Sequence, residues 1–402
     1  MNIGIAVFAY NRSSHLQQVL GGLQKNRNVE KLYLFQDGLK CEVHRKEWEK
    51  VKQVIKNIDW CETSCSFADV NKGLSFSIVN GVNRVLEEND AVVVLEDDCV
   101  PHSGFMTFMS EALQKYQNEK KVYSVSGYAY SVTVKNNGTD AYFTRRISSW
   151  GWGTWKDRWA YYQQDYKILG RIKNNDKLAE ELRIWGKDLE SYLLGNIYGS
   201  CDSWAVFWAL TVIEQGGYCL SSNKGLIKNI GLDGTGVHCG VVELPQYLYK
   251  EEKKRFLLPD TVKLPDEYKE VFGEYFSWVS GEKKLKAYNE LLLRWVDVLI
   301  DNRDAIAENL NHKQIYKCSI WGKGPLCDLL LKELSKKIEV LSIIESNPID
   351  KSYKGIPVTK VENIPKDTQL IIVIPTYDFS RIKKMAEKVT DCKIVPLDFI
   401  LR

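Results

Sequence analysis

The chain has 402 residues, 44% of them hydrophobic, and sets 55 Lys and Arg against 52 Asp and Glu for a formal charge of +3. That length divides into two or three domains with sizeable cores, and so balanced a charge argues against nucleic acid or a membrane as a bulk electrostatic partner. The opening MNIGIAVFAYNR reads as a strand, and no apolar run reaches the ~20 residues of a membrane span. The expected location is therefore cytoplasmic, with peripheral contact to the inner face of the cell membrane or to a partner protein left open.

Strand and helix patterns alternate over roughly the first 130 residues, which predicts an α/β fold with successive βαβ units and a mainly parallel sheet. Ile3 to Ala9 is the first strand, and Ser13 or Ser14 caps a helix with Leu16, Val19, Leu20 and Leu23 on one face. Lys31 to Gln36 is a second strand ending in Asp37-Gly38. A charged helix from about Cys41 to Asn57 and a short strand near Ser64 to Asp69 follow. Asn71-Lys72-Gly73-Leu74 is a turn before a helix opened by Ser75, with Ile78, Val79, Val82, Val85 and Leu86 at helical spacing.

That helix leads into AVVVLEDDCV, Ala91 to Val100, an apolar strand that ends in Glu96, Asp97 and Asp98. Ligands of open α/β sheets bind at the C-terminal strand edge, and adjacent carboxylates there repel unless a cation or hydrogen-bond donors neutralise them. Mg²⁺ or Mn²⁺ suits such hard oxygen ligands and keeps positions open for phosphate; a solvated acidic turn is the competing reading. Ala9-Tyr10-Asn11-Arg12, Asp37 and Lys72-Gly73 fall on the same edge, offering cations for phosphate and a carboxylate for a base N–H. No GxxxxGK[ST] loop is present.

VFAYNRSSHL, FQDG, NKGLSFSIVNGV and VVVLEDDCVP, followed by SSWGWGTWKDRW, CDSWAVFW and KNIGLDGTGVHC, resemble inverting nucleotide-sugar glycosyltransferases of the GT-A fold. The likeness is greatest to bacterial sugar transferases related to the N-acetylglucosaminyltransferase I type, and covers about the first 240 residues in the family's motif order. The resemblance implies that Asp98 binds the metal, that Glu96 and Asp97 hold ribose or donor sugar, and that Asp37 reads the base. It also implies that Asp202 is the acceptor's general base and that His238 is a second metal ligand, a position some EDD enzymes lack.

Single-displacement sugar transfer needs a base separate from the metal-bound acid, because a proton leaves the acceptor hydroxyl while charge builds on the departing diphosphate. Asp202, at the predicted start of a helix, suits that role, with a helix N-cap as the alternative. Trp152 and Trp155, among glycines, suit an aromatic acceptor loop together with Trp204, and a buried structural turn is the alternative. His238 lies in a glycine-rich segment, where a structural histidine competes with a ligand. Ten cysteines lack the dense spacing of a disulfide framework and read as free thiols.

Residues 1–245 are thus expected to form the GT-A domain and 246–312 a helical connector that includes Leu285, Tyr288, Leu292, Trp295 and Leu299. A small Rossmann-like domain is expected over 313–402. There, strand Ile315 to Trp321, the turn GKGPLC and Glu345, 21 positions after Gly324, make up most of a dinucleotide fingerprint, but Cys327 stands at the third glycine. A structural or nucleotide-sensing role fits better than oxidoreductase chemistry. The expected activity is metal-dependent inverting transfer from a nucleotide-sugar donor, UDP-linked, to an oligosaccharide or lipid-linked acceptor in bacterial surface-polysaccharide assembly. A sugar-nucleotide pyrophosphorylase would need a Gly-rich phosphate loop where AYNRSS stands; a noncatalytic nucleotide- or carbohydrate-binding scaffold would not need Asp98 and Asp202 together.

Overall fold

The computed structural model describes residues 1–135, 138–199, 201–232, 248–250, 253–279, 282–301, 305–334, 337–345, 348, 350–376 and 379–401. It divides into two compact units, Met1–Ser280 and Gly281–Arg402.

In the first unit the alternation of the sequence becomes β1 (Ile3–Ala9), α1 (Ser13–Gln24), β2 (Lys31–Gln36), α2 (Arg45–Lys56), β3 (Glu62–Phe67), α3 (Leu74–Glu88) and β4 (Ala91–Glu96). After these come β5 (Cys99–Pro101), α4 (Phe105–Lys115), β6 (Val122–Ser126), β7 (Ala141–Thr144) and β8 (Trp152–Trp155). Five helices follow, α5 (Lys156–Trp159), α6 (Ile168–Lys173), α7 (Asp176–Trp185), α8 (Leu189–Ile197) and α9 (Trp204–Glu214). The unit is completed by β9 (Tyr218–Ser222), β10 (Ile227–Asn229) and α10 (Glu267–Val279). The main sheet has eight strands in the order β3-β2-β1-β4-β8-β6-β9-β7. It is parallel through β3, β2, β1 and β4, and β8 is antiparallel to both its neighbours.

The apolar run Ala91 to Leu95 is fully buried because both faces of the sheet are covered. One face packs on α1, α2 and α4 through Leu16, Leu23, Val51 and Phe108; the other packs on α3 and α9 through Ile78, Val82, Phe207 and Trp208. The register Phe8↔Glu96 and Ala9↔Gln36 brings the loops after β1, β2 and β4 together at one edge.

SSWGWGTW is not a flexible loop. It supplies β8, where Gly153 lies so close to β4 that a Cβ would stand 2.8 Å from the Val92 carbonyl oxygen, and Gly151 takes a φ of 60°.

The second unit contains α11 (Glu282–Asp301), α12 (Ala305–His312), β11 (Lys317–Trp321), α13 (Pro325–Leu334), β12 (Glu339–Ile344), β13 (Ser352–Tyr353) and β14 (Ile356–Thr359). It ends with β15 (Leu370–Val373), α14 (Phe379–Ala386), β16 (Lys393–Pro396) and α15 (Leu397–Ile400). Its six strands run β13-β14-β12-β11-β15-β16, parallel except for β13. The expected connector is divided between the units rather than standing alone. α10 closes an aromatic cluster of Tyr130, Tyr142, Trp185, Tyr268, Phe272 and Phe276 in the first unit. Leu291 and Trp295 of α11 and Ile306, Ala307 and Leu310 of α12 enter the core of the second. An amphipathic helix folds where its apolar stripe is covered, and these stripes are covered on opposite sides of residue 280.

A fragment of residues 1–280 is therefore expected to unfold as one cooperative transition. A fragment ending at Asn311 keeps α11 and most of α12 without the sheet that covers Leu291 and Trp295. Circular dichroism melts with size-exclusion chromatography check this: the longer fragment should bind more hydrophobic dye and aggregate sooner.

Candidate active site

The acidic turn after β4 is neutralised from the loop after β1. Arg12 lies there because β1 and β4 are adjacent and parallel, and one of its nitrogens, Nη2, donates to Asp97 Oδ1 and, at 2.8 Å, to Asp98 Oδ2. Tyr10 N donates to Asp97 Oδ2 at 3.4 Å. Asp97 is the deeper of the two, its side chain 5% exposed against 14% for Asp98. Glu96 stands half-buried beside them, and Asn11 is half-buried in the Arg12 loop.

One guanidinium faces three carboxylates, and the charge balance shows it. Desolvation, then the charges of Asp98 and Asp97, push the Glu96 carboxyl up to about 8 against the pull of Arg12. Burial raises Asp97 as well, although Arg12 opposes it. Desolvation works against the Arg12 charge, but Asp97 and Asp98 outweigh it and hold the guanidinium above its ordinary value.

β10 lies antiparallel to β5 and carries the KNIG segment to the turn: Ile230 N donates to the Asp98 carbonyl at 2.9 Å. A Cβ on Gly231 would fall 2.2 Å from Asp98 Oδ2, so only glycine fits there. His238 lies outside the described residues.

Asp37 organises a loop. Its Oδ1 accepts from Gly38 N at 2.8 Å and Lys72 N at 3.0 Å, and its Oδ2 accepts from Asn71 Nδ2 at 2.9 Å and Gly73 N at 3.0 Å. A carboxylate accepts about four hydrogen bonds, so Asp37 would meet a base only by releasing one of these donors. In this structure it anchors residues 71–73. Lys72 is exposed, with Nζ 4.9 Å from the centre of the Phe76 ring.

Gly73, at a φ of 86°, starts α3, and the first turn of that helix meets Asp202. Ser75 N donates to Asp202 Oδ2 at 3.2 Å, and a Cβ on Gly73 would be 2.8 Å from the same oxygen. Asp202 thus caps α3 rather than its own helix, α9, whose first residue is Trp204. The carboxylate is oriented by one backbone N–H at a helix N-terminus, and Oδ1 takes no part in that bond. Two neighbours had no signal in the sequence. The Ser75 hydroxyl is buried without a partner, and the Tyr162 phenol is pushed up by burial, with the Asp202 charge adding in the same direction.

The three tryptophans expected at an acceptor site are core residues. Trp152 and Trp204 stack at 4.8 Å and are 0% and 1% exposed, and Trp159 packs 5.6 Å from Trp152. Trp155 is 2% exposed and donates to the Leu113 carbonyl at 3.0 Å. Their large apolar area and the flat surface of the sheet favour stacking between β8 and α9, which leaves no face for a sugar. Apolar residues that do reach solvent include Phe76, next to Ser75 in α3, and, on α8 and the turn after it, Tyr192, Leu194, Ile197 and Tyr198, the last 80% exposed.

Among the described residues no group of three or more His, Cys, Asp or Glu is arranged to hold a metal. Asp98, the outermost acid, supplies hard oxygen atoms of the kind that bind Mg²⁺ or Mn²⁺ through one or two carboxylates plus phosphate and water. In the second unit Gly322 and Gly324 have φ of 102° and 129°, as the fingerprint turn requires, but Glu345 Oε1 accepts from Lys323 N at 2.9 Å and so closes onto that turn. The nine described cysteines are free thiols, and no described helix is long and apolar enough to cross a membrane.

No protein-family model matches the sequence, and no curated protein matches it. Among solved structures the chain is similar to a mannosyltransferase of Pyrobaculum calidifontis in complex with GDP-Man and Mn2+. That likeness has 9% identity and a TM-score of 0.32 over 53% of this chain and 73% of that one. It is also similar to a 4-diphosphocytidyl-2C-methyl-D-erythritol synthase of Anaerococcus prevotii, at 10% identity and a TM-score of 0.27, over 43% of this chain and 85% of that one. At TM-scores this low neither likeness bears on what this chain binds or does.

The raised Glu96 carboxyl gives a sign to the pH dependence. Between about 4.5 and about 8 the folded protein holds a proton that the unfolded chain has released, so this contribution to stability is lost as pH rises through that window. Urea midpoints in EDTA should fall across it for the wild type and fall less for Glu96→Gln; equal slopes would contradict the assignment.

Proposed function

We propose that the first unit is an inverting, metal-dependent glycosyltransferase, moving a sugar from a nucleotide donor, UDP-linked, to a glycan or lipid-linked acceptor. The observation that carries it is the meeting of the acidic turn, Arg12, the Lys72 loop and Asp202 at one sheet edge, from segments that are far apart in sequence. The motif order of the sequence supports the same reading.

In this reading Asp98 would hold Mn²⁺ or Mg²⁺, which would supply positive charge to the departing diphosphate. Arg12 and Lys72 supply further positive charge to the phosphates, and Glu96 offers a hydrogen-bond partner to ribose or donor sugar, while Asp97, expected beside it, is buried and anchors Arg12 instead. Asp37 shapes the phosphate-side loop. Asp202 takes the proton of the acceptor hydroxyl while that oxygen forms a bond to the anomeric carbon and the bond from that carbon to the diphosphate breaks, which inverts the centre. Ser75 N fixes Oδ2 and so directs Oδ1 to the hydroxyl. The exposed Tyr192, Ile197 and Tyr198 replace the buried tryptophans as the acceptor-side surface. A cytoplasmic setting in bacterial surface-polysaccharide assembly follows from the family resemblance.

Asp202→Asn should reduce transfer from a UDP-sugar by about 10²–10⁴, the usual cost of losing a general base, with nucleotide affinity little changed. Steady-state kinetics with calorimetry on the same protein checks both. Near-normal turnover at saturating acceptor would remove Asp202 from the chemistry.

A further inference from the structure

The guanidinium of Arg12 is used in an uneven way. A guanidinium offers five N–H donors, yet Nη2 alone serves both Asp97 and Asp98. Nη1 is buried and has no acceptor. A buried donor without an acceptor is unfavourable and calls for an explanation. The two carboxylates also differ. Asp97 is the deep anchor, held by Tyr10 N as well as Arg12. Asp98 is the outer one, its Oδ2 2.2 Å from where a Cβ on Gly231 would stand and already occupied by Arg12. One of the two Asp98 oxygens is thus already neutralised by a residue of the chain, and the other, Oδ1, accepts, among the described residues, only from the Cys99 thiol, at 3.4 Å.

We propose, on the basis of the nucleotide-sugar reading above, that Arg12 is the resident counter-ion of the acidic turn and that Asp98 exchanges it for a divalent cation. Arg12 keeps its bond to Asp97 and turns Nη1 and the freed Nη2 hydrogen to the donor's diphosphate. Planar, paired donors suit phosphate oxygens, so the guanidinium gains there what it loses at Asp98. The exchange makes Arg12 a positioning residue with opposite effects on two ligands. It competes with a cation for Asp98, and it supplies the contact that a nucleotide diphosphate makes without a cation. Cation and diphosphate are then coupled through one side chain, and by linkage each favours the other.

Calorimetric titrations of the intact chain with Mn²⁺ alone, and with UDP in EDTA, test this on the wild type, Arg12→Met and Arg12→Lys, with circular dichroism as the check on folding. Arg12→Met should bind Mn²⁺ about tenfold more tightly than wild type and UDP about tenfold more weakly, a pair of opposite changes in the range of ordinary coupling energies. Arg12→Lys, which keeps a single charged nitrogen for the two acids on a flexible stem but lacks the planar, paired donors of the guanidinium, should move in the same two directions by less, and it decides the matter if Arg12→Met does not fold. A fall in both affinities together, or no change in either, overturns the exchange and leaves the nucleotide-sugar reading standing. A wild-type protein that takes up neither UDP nor Mn²⁺, separately or together, overturns both.

Discussion

Burying like charges at the end of a strand is the constraint on which the first unit depends. Glu96, Asp97 and Asp98 follow an apolar strand that is covered on both faces, so the chain cannot carry them into solvent without giving up the core contacts of Ala91 to Leu95. One guanidinium answers them. Arg12 can reach Asp97 and Asp98 only because β1 lies parallel to β4, with Phe8 opposite Glu96. The same edge gathers Asp37 after β2, engaged by the backbone N–H groups of Gly38, Lys72 and Gly73, and Asp202 before α9, engaged by that of Ser75. Charge balance and sheet register are thus one problem, and their joint solution places four functional segments side by side.

Two glycines show how closely that edge is built. Gly73 combines a positive φ with contact to Asp202, and Gly231 has no room for a Cβ against Asp98. Each allows backbone to approach a carboxylate, which a larger residue would push out of place. Rigid support for the acids, from elements that are otherwise structural, is what a site needs to hold its geometry during a reaction.

Much of this was legible in the sequence, and the failures have physical causes. β1 and β2 were found at their observed limits, and β4 as the buried apolar run that leads into the acids. α3 was found because its apolar residues recur at helical spacing. The meeting of Arg12, Asp37, Gly73 and Asp98 at one edge followed from strand direction alone. Trp152, Trp155 and Trp204 were misplaced because aromatic residues among glycines look alike in a mobile loop and in a tightly packed strand, and only the antiparallel pairing of β8 with β4 decides between them. The commitment of Asp37 to four donors was hidden, since three of them come from Asn71, Lys72 and Gly73, more than thirty residues away in sequence. The cap that Asp202 makes on α3 was hidden for the same reason: Asp202 reads as the N-terminus of its own helix. The division near residue 280 was missed because α10, α11 and α12 have similar periodicity and differ in the core that covers them.

In the function proposed above, the acidic turn is a cation-dependent nucleotide site, with Asp98 as its ligand to the cation. The most direct measurement is the affinity of UDP for the wild type and for Asp98→Asn, each with Mn²⁺ and with EDTA. The account predicts that Mn²⁺ tightens UDP binding to the wild type and has little effect on Asp98→Asn, while both proteins melt cooperatively. Equal Mn²⁺ enhancement in the two proteins would contradict it.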